Sequence, residues 1–260
     1  MITRKSEYRN FNDNLTRKIA EVVVMKLSPS AIVLGGGSFG HFMAHSYGIP
    51  GPANEYTRKG ASIIHDDMGR LSAMVSEIFQ GHGISTFAFS PSELMKNGTT
   101  DYSEPLNYAE SEIVPLFYGD VYLEGQFFRI YSGDQVMLDL ARTGRFSRAL
   151  FLTDVDGIYD RDPRKFSDAR LLKRIEGRIE FSERPGDVTG GMALKHSSMV
   201  EMSKHLDQVY LINGNYDQGI RPLILQYLCV PPSCFQSIYH RSDKFFSADG
   251  GNSPWIISVD

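Results

Sequence analysis

Apolar positions along this chain follow two periods that alternate. Leu15, Ile19, Val22 and Val23 recur at helical intervals, and the unbroken run Ala31-Ile32-Val33-Leu34 comes next. Met68, Leu71, Met74, Val75 and Ile78 mark a second helix, followed by a strand over residues 84–89 and another at Ile113-Val114-Pro115-Leu116-Phe117. Residues 136–140 read as helical. Ala149-Leu150-Phe151-Leu152-Thr153 and Val209-Tyr210-Leu211-Ile212 read as buried strands, with a helix over residues 192–205 between them. Short continuous apolar runs separated by stretches of helical period predict an α/β fold around a mainly parallel sheet. One pair of runs departs from that rhythm. Val121-Tyr122-Leu123 and Phe127-Phe128-Arg129-Ile130 flank Glu124-Gly125-Gln126, which predicts a β-hairpin inserted in the series. The breakers in Pro50-Gly51-Pro52-Ala53-Asn54-Glu55-Tyr56 predict a loop, either a plain connection or a cover over a site.

Composition narrows the class. A length of 260 residues with 42% hydrophobic content suffices for one large domain or two small ones. A net charge of -4 offers no basic field for nucleic acid, and no apolar stretch reaches the length of a membrane span. The polar start, Met1-Ile2-Thr3-Arg4-Lys5, lacks the apolar core of a signal peptide, and Cys229 and Cys234 read as reduced thiols. The expectation is a cytoplasmic protein with no membrane partner.

The chemistry concentrates in glycine turns. Gly35-Gly36-Gly37-Ser38-Phe39-Gly40-His41 joins an apolar run to a helix, where backbone N–H groups and the helix dipole favour an anion. The same residues fit the dinucleotide fingerprint, but Glu55, at the spacing of its acidic partner, stands in the Pro/Gly loop and not at a strand end. A purely structural turn is the other alternative. Ser132-Gly133-Asp134, Thr153-Asp154-Val155-Asp156-Gly157 and Thr189-Gly190-Gly191 repeat the arrangement, and Lys195 lies one helical turn beyond Gly191. Each has a plainer reading: Asp134 and Thr189 as helix caps, Asp154 and Asp156 as turn formers, Lys195 as a solvated charge.

Taken in order with Tyr118-Gly119-Asp120 and Leu211-Ile212-Asn213-Gly214-Asn215, these motifs resemble the isopentenyl phosphate kinases of the amino acid kinase superfamily, especially archaeal forms. The resemblance runs from about Ile2 to Asn215. Thr-Asp-Val-Asp-Gly and the triple glycine are shared across the superfamily. His41 after Gly-Ser-Phe-Gly is more selective, since acetylglutamate, aspartate and uridylate kinases lack it. Fosfomycin kinases carry a related Gly-Phe-Gly-His arrangement, but Tyr47-Gly48-Ile49-Pro50-Gly51 resembles the isopentenyl phosphate enzymes more closely.

The resemblance implies an αβα sandwich of amino acid kinase type, one domain whose acceptor half spans residues 1–145 and nucleotide half residues 146–225, with an atypical tail over residues 226–260. It implies ATP-dependent phosphorylation of a prenyl phosphate by a homodimer, with Mg²⁺ carried by the nucleotide and no metal ligand from the protein. Gly35 and Gly36 would line the junction of the two phosphates. His41 and Gly133 would hold the acceptor phosphate. Asp154, Gly191 and Lys195 would bind nucleotide, Asp134 would orient lysines, and Lys5 would stabilise the transition state. Met68, Met74, Ile78 and Phe87 are candidates for an apolar pocket, with ordinary core as the plainer reading of each. Two departures stand out. The family begins with a strand and a Lys-x-Gly-Gly-Ser loop ahead of the segment matched by Ile2-Thr3-Arg4-Lys5, which implies a chain shortened at its front, with Lys5 on a terminus that no strand ties down. The tail, with Pro231-Pro232 and Asp249-Gly250-Gly251-Asn252, reads as irregular. A protein that keeps the fold and binds nucleotide or phosphate without catalysis is the alternative, and a fosfomycin-type kinase the third.

Overall fold

A computed structural model describes residues 1–4, 7–27, 29–96, 98–154, 157–159, 166–170, 191–215, 237–240 and 254–259. The helices are α1 (Asp13–Lys26), α2 (Gly37–Tyr47), α3 (Glu55–Gly81), α4 (Pro91–Leu94), α5 (Ser103–Glu110), α6 (Gly133–Arg142) and α7 (Gly191–Met202). The strands are β1 (Ala31–Leu34), β2 (Gly51–Pro52), β3 (Thr86–Phe89), β4 (Met95–Lys96), β5 (Thr99–Thr100), β6 (Val114–Tyr118), β7 (Asp120–Glu124), β8 (Phe127–Tyr131), β9 (Arg148–Thr153), β10 (Gln208–Asn213), β11 (Ser237–His240) and β12 (Trp255–Val259).

Seven strands form the central sheet in the order β11-β10-β9-β12-β1-β6-β3, and every pairing is parallel except β10 with β11. Because side chains alternate along a strand, each of these apolar runs serves two cores. Ile32, Leu34, Leu116, Leu150, Leu152 and Ile257 face α1, α2 and α3. Ala31, Val33, Phe117, Phe151, Leu211 and Ile256 face α5, α6 and α7. That two-sided burial is the αβα sandwich that the family resemblance implies.

The inserted hairpin is present as β7 and β8, with Glu124 paired to Phe127 across the corner. The Pro/Gly segment before α3 is more ordered than a loop: Gly51 and Pro52 pair antiparallel with Phe128 and Phe127. The helix predicted near Met68 begins a full three turns earlier, at Glu55. Asn54 caps it through Thr57 N at 3.0 Å, and Thr57 Oγ1 accepts from Asn54 N at 2.9 Å.

Both ends of the chain depart from expectation. The terminus is not loose. Met1, Ile2 and Thr3 are buried, Thr3 bridges Phe11, and Asn12 N donates to Ile2 O at 2.7 Å. The tail, read as irregular, supplies the middle of the sheet. β12 lies between β1 and β9, with Ile257 opposite Ile32 and Leu150. Trp255 stacks on Tyr210 at 5.8 Å between centroids, and the Arg148 guanidinium lies over its ring. Ile257 is therefore expected to behave as core. Ile257→Ala should lower unfolding stability by about 2–5 kcal/mol in urea denaturation, whereas a substitution in an irregular tail would stay within about 0.5 kcal/mol.

Candidate active site

Parallel strands bring their C-terminal ends to one edge of the sheet, where ligands of open α/β sheets bind. Here the turns that follow those ends are tied to one another. Gly35 N donates to Val259 O at 3.2 Å, Gly119 N to Leu34 O at 3.0 Å, and Gly214 N to Thr153 O at 2.7 Å. The start of α6 presses onto this edge. A Cβ on Gly133 would stand 3.0 Å from Leu34 O and 3.4 Å from Gly35 Cα, and a Cβ on Gly119 would stand 3.2 Å from Gly133 N. Three backbone segments thus stack with no room for a side chain between them.

The helix starts add field. Gly36 precedes α2, and Gly37 opens it with φ of 46°, a left-handed value that disfavours other residues. Thr3 lies against that turn: Ser38 N donates to Thr3 Oγ1 at 3.0 Å. His41, one turn into α2, folds back, so that a Cβ on Gly36 would meet its Nε2 at 3.6 Å. Asp134 sits in the first turn of α6 but is not its cap. Ser132 is, accepting from Gln135 N while its own N–H donates to Gln135 Oε1 at 2.8 Å. The Asp134 carboxylate instead accepts from Lys195 Nζ at 2.6 Å, which places the first turn of α7 beside that of α6. Lys195 is no solvated charge: its side chain is 8% exposed, Asp134's 15%, and its ammonium also lies over the Phe151 ring.

Gly35, Gly36, His41, Gly133, Asp134 and Lys195 are therefore brought together by the fold. Gly191 opens α7, and Asp154 stands exposed at the end of β9. Lys5, Asp156, Thr189, Gly190, Cys229 and Cys234 lie outside the described residues. The proposed apolar lining divides. Met68 and Ile78 are core, with the Met68 thioether 3.3 Å from where a Gly40 Cβ would be, while Met74 and Phe87 are on the surface.

Two buried acids near this edge escaped sequence reasoning. Asp67 on α3 accepts from Tyr8 Oη at 2.6 Å and Arg9 Nε at 2.7 Å, while Asn10 N donates to Ser38 Oγ at 3.1 Å. Burial and that carboxylate push the Tyr8 phenol up to about 12, so it stays a donor. These contacts fasten the segment after the N-terminus to both α2 and α3. Asp67 could have been found from spacing, since it stands on the apolar stripe of Ile64, Met68 and Leu71. Asp120 is the second, in a motif to which no role was given. Among the described residues, no three His, Cys, Asp or Glu side chains group to hold a metal ion. A Mg²⁺ ion carried on nucleotide phosphates needs no such cage, because it keeps several waters and uses few protein ligands.

Residues 5–213 match the family model described as the amino acid kinase family. An isopentenyl phosphate kinase of Thermoplasma acidophilum is 41% identical, the match covering 85% of this chain and 91% of that protein. One from Methanothermobacter thermautotrophicus is 31% identical with the same coverage. Among solved structures, the product complex of the T. acidophilum isopentenyl phosphate kinase superposes with a TM-score of 0.77 at 36% identity, covering 91% of this chain and 94% of that one. A UMP kinase from Ureaplasma parvum shares the fold, at a TM-score of 0.57 and 16% identity, covering 83% of this chain and 87% of that one.

The Asp134–Lys195 pair makes a stability prediction that is independent of any activity. Asp134→Ala would leave a buried ammonium without its carboxylate and should cost about 3–5 kcal/mol of unfolding stability. Urea denaturation of wild type and variant reads the loss.

Proposed function

Because this chain belongs to the amino acid kinase family, we propose that it transfers the γ-phosphoryl group of ATP to isopentenyl phosphate, giving isopentenyl diphosphate and ADP. The observation that carries the reading is the crowded edge itself. The start of α6 meets the glycine turn that leads into α2 beside His41, and Lys195 of α7 reaches Asp134 in the first turn of α6. Two phosphate groups brought face to face repel each other strongly, and this edge concentrates backbone N–H donors, helix dipoles and a lysine on that charge. The similarity to isopentenyl phosphate kinases over most of the chain selects the acceptor.

Phosphoryl transfer asks a protein mainly for in-line placement and charge neutralisation. An acceptor phosphate oxygen attacks the γ-phosphorus while the bridge to the β-phosphate breaks and its electron pair leaves with ADP. The attacking oxygen is already ionised, so no strong general base is needed, and His41 is a donor that holds the acceptor phosphate beside Gly36. Gly133 borders the acceptor phosphate from α6, and Gly35 lies where the two phosphates meet. Lys195 neutralises nucleotide charge, with its Nζ aimed by Asp134, and Asp154 and Gly191 bound the nucleotide. Lys5 takes the transition-state role that the resemblance gives it. Mg²⁺ on the nucleotide would supply further neutralisation of its phosphates. No described helix is long and apolar enough to cross a membrane. We read the enzyme as a cytoplasmic homodimer, to be checked by sedimentation.

ADP release measured over a panel of acceptors tests the assignment. Isopentenyl or dimethylallyl phosphate should be turned over fastest. Faster turnover of fosfomycin or UMP would overturn it, and nucleotide binding with no turnover of any acceptor would favour the non-catalytic alternative. In the same assay His41→Ala should lose on the order of 10²–10³ in rate, the cost of one well-placed donor. His41→Asn or His41→Gln should retain part of the rate, with thermal unfolding hardly moved.

A further inference from the structure

Asp120 begins β7 with its side chain fully buried, and it is surrounded by donors from separate elements. Its Oδ1 accepts from the N–H of Val121 at 2.7 Å. Its Oδ2 accepts from Ser90 Oγ at 2.5 Å, Ser92 Oγ at 3.1 Å and, from α3, His65 Nδ1 at 2.8 Å. The hydroxyls come from the β3–α4 junction, and His65 is the partner that can bring a positive charge. An ionised carboxylate in such a place is costly unless paired, and removing one partner of a buried pair costs more than the pair contributes. His65 itself is half exposed, so it is the side of the cluster that reaches water.

The position of this cluster gives it consequence. Asp120 directly follows Gly119, whose N–H donates to Leu34 O and on which a Cβ would stand 3.2 Å from both Gly133 N and Tyr131 O. A Cβ on Gly133 would in turn meet Leu34 O and Gly35 Cα. A continuous line of contacts therefore runs from His65 through Asp120, Gly119 and Gly133 to Gly35. We propose that His65 is a positioning residue for the acceptor side of the reaction: its hydrogen bond to Asp120 fixes the β6–β7 corner, and with it the Gly119–Gly133 contact that shapes the acceptor-phosphate seat. The proposal rests on the reading that the acceptor phosphate sits at Gly35 and Gly133.

Titration of His65 supplies a signature that packing alone would not. Burial works against its charge, but Asp120, assisted by Glu93 on α4 and its neighbour Asp66, outweighs that, and the pKa lies above the ordinary 6.5. Tyr118 on β6 faces the same cluster, and burial together with the Asp120 charge pushes its phenol up to about 12, so it stays neutral. Because the folded value is raised, the additional hold on Asp120 is complete below the unfolded value near 6.5 and fades as pH rises through the folded value. The imidazole's exposure keeps the effect small.

The test compares wild type with His65→Ala and His65→Asn in the full chain, using ATP and isopentenyl phosphate. An Asn amide can donate from about the place of Nδ1 without titrating. His65→Ala should lower kcat/KM for the acceptor by about 10-fold to 10²-fold, the scale of a misplacement near 1 Å. KM for ATP should stay within about 2-fold, as expected of an effect confined to acceptor positioning. His65→Asn should recover most of the loss at neutral pH and should remove the part of the wild-type pH dependence above pH 6.5 that His65 carries. Parallel losses for both substrates, no advantage of Asn over Ala, or a silent Ala variant would overturn the proposal. If a different acceptor proves to be the substrate, the assignment of isopentenyl phosphate fails, but the same comparison is read with that acceptor. If none is turned over, amide hydrogen exchange at Gly119 and Gly133 decides. Faster exchange in His65→Ala, restored in His65→Asn, supports the link, and unchanged exchange refutes it.

Discussion

The close approach of three backbones at the end of β1 is the constraint on which the rest of this structure depends. Leu34 and Gly35, Gly119 and Gly133 touch with too little space for a Cβ between them. A side chain at Gly119 or Gly133 would have to push the start of α6 and the β6–β7 corner away from the end of β1. The close approach also sets the start of α6, whose first N–H groups have no acceptor within the helix, against the turn that leads into α2. A site built from long side chains would have to order each of them on binding, at about 0.5–1.5 kcal/mol apiece. One built from backbone is ordered by folding.

Charge balance follows from the same economy of space. The chain is net negative, at -4, yet the reaction we assign to it brings two phosphate groups together. Three buried or half-buried acids near the glycine edge are matched: Asp67 by Arg9 and Tyr8, Asp120 by His65 and two serines, Asp134 by Lys195. What these three add to the field at the edge is therefore largely cancelled locally. The Arg9 backbone adopts φ of 55°, a conformation that non-glycine residues adopt at a cost and that surrounding contacts must hold.

Much of the fold was legible in the sequence where the signal was local. Glu124-Gly125-Gln126 between apolar pairs announced the hairpin, and the continuous runs at β1, β9 and β10 announced a two-sided parallel sheet. The glycine turns were legible as candidate anion sites because helix starts and glycines carry that chemistry on the main chain, and the fold brings Gly35, Gly36, His41, Gly133 and Lys195 to one edge of the sheet. What escaped was non-local. Residues 255–259 are a short apolar run among turn formers, and nothing near them in sequence tells that β1 and β9 are waiting on either side. Asp120 looks like a surface charge, and even Asp67, whose spacing sets it on the apolar stripe of α3, is explained only by its partners, which for the two come from residues 8, 9, 65, 90 and 92. The early start of α3 was masked by Pro50 and Pro52, although Asn54 and Thr57 spelled out its cap.

The place of β12 has a bearing on how the molecule is made. β1 is synthesised early, and the strand that separates it from β9 comes last of all those in the sheet. A nascent chain on the ribosome can assemble α1, α2, α3 and the hairpin, but the apolar flank of β1 must wait uncovered for residues 255–259 to emerge. Pairings of such large sequence separation are slow to form, and an uncovered strand flank is a template for association with other chains. Completion of this fold is thus a late, all-at-once event, and the interval before it is the stage at which a cell's chaperones would have most to do.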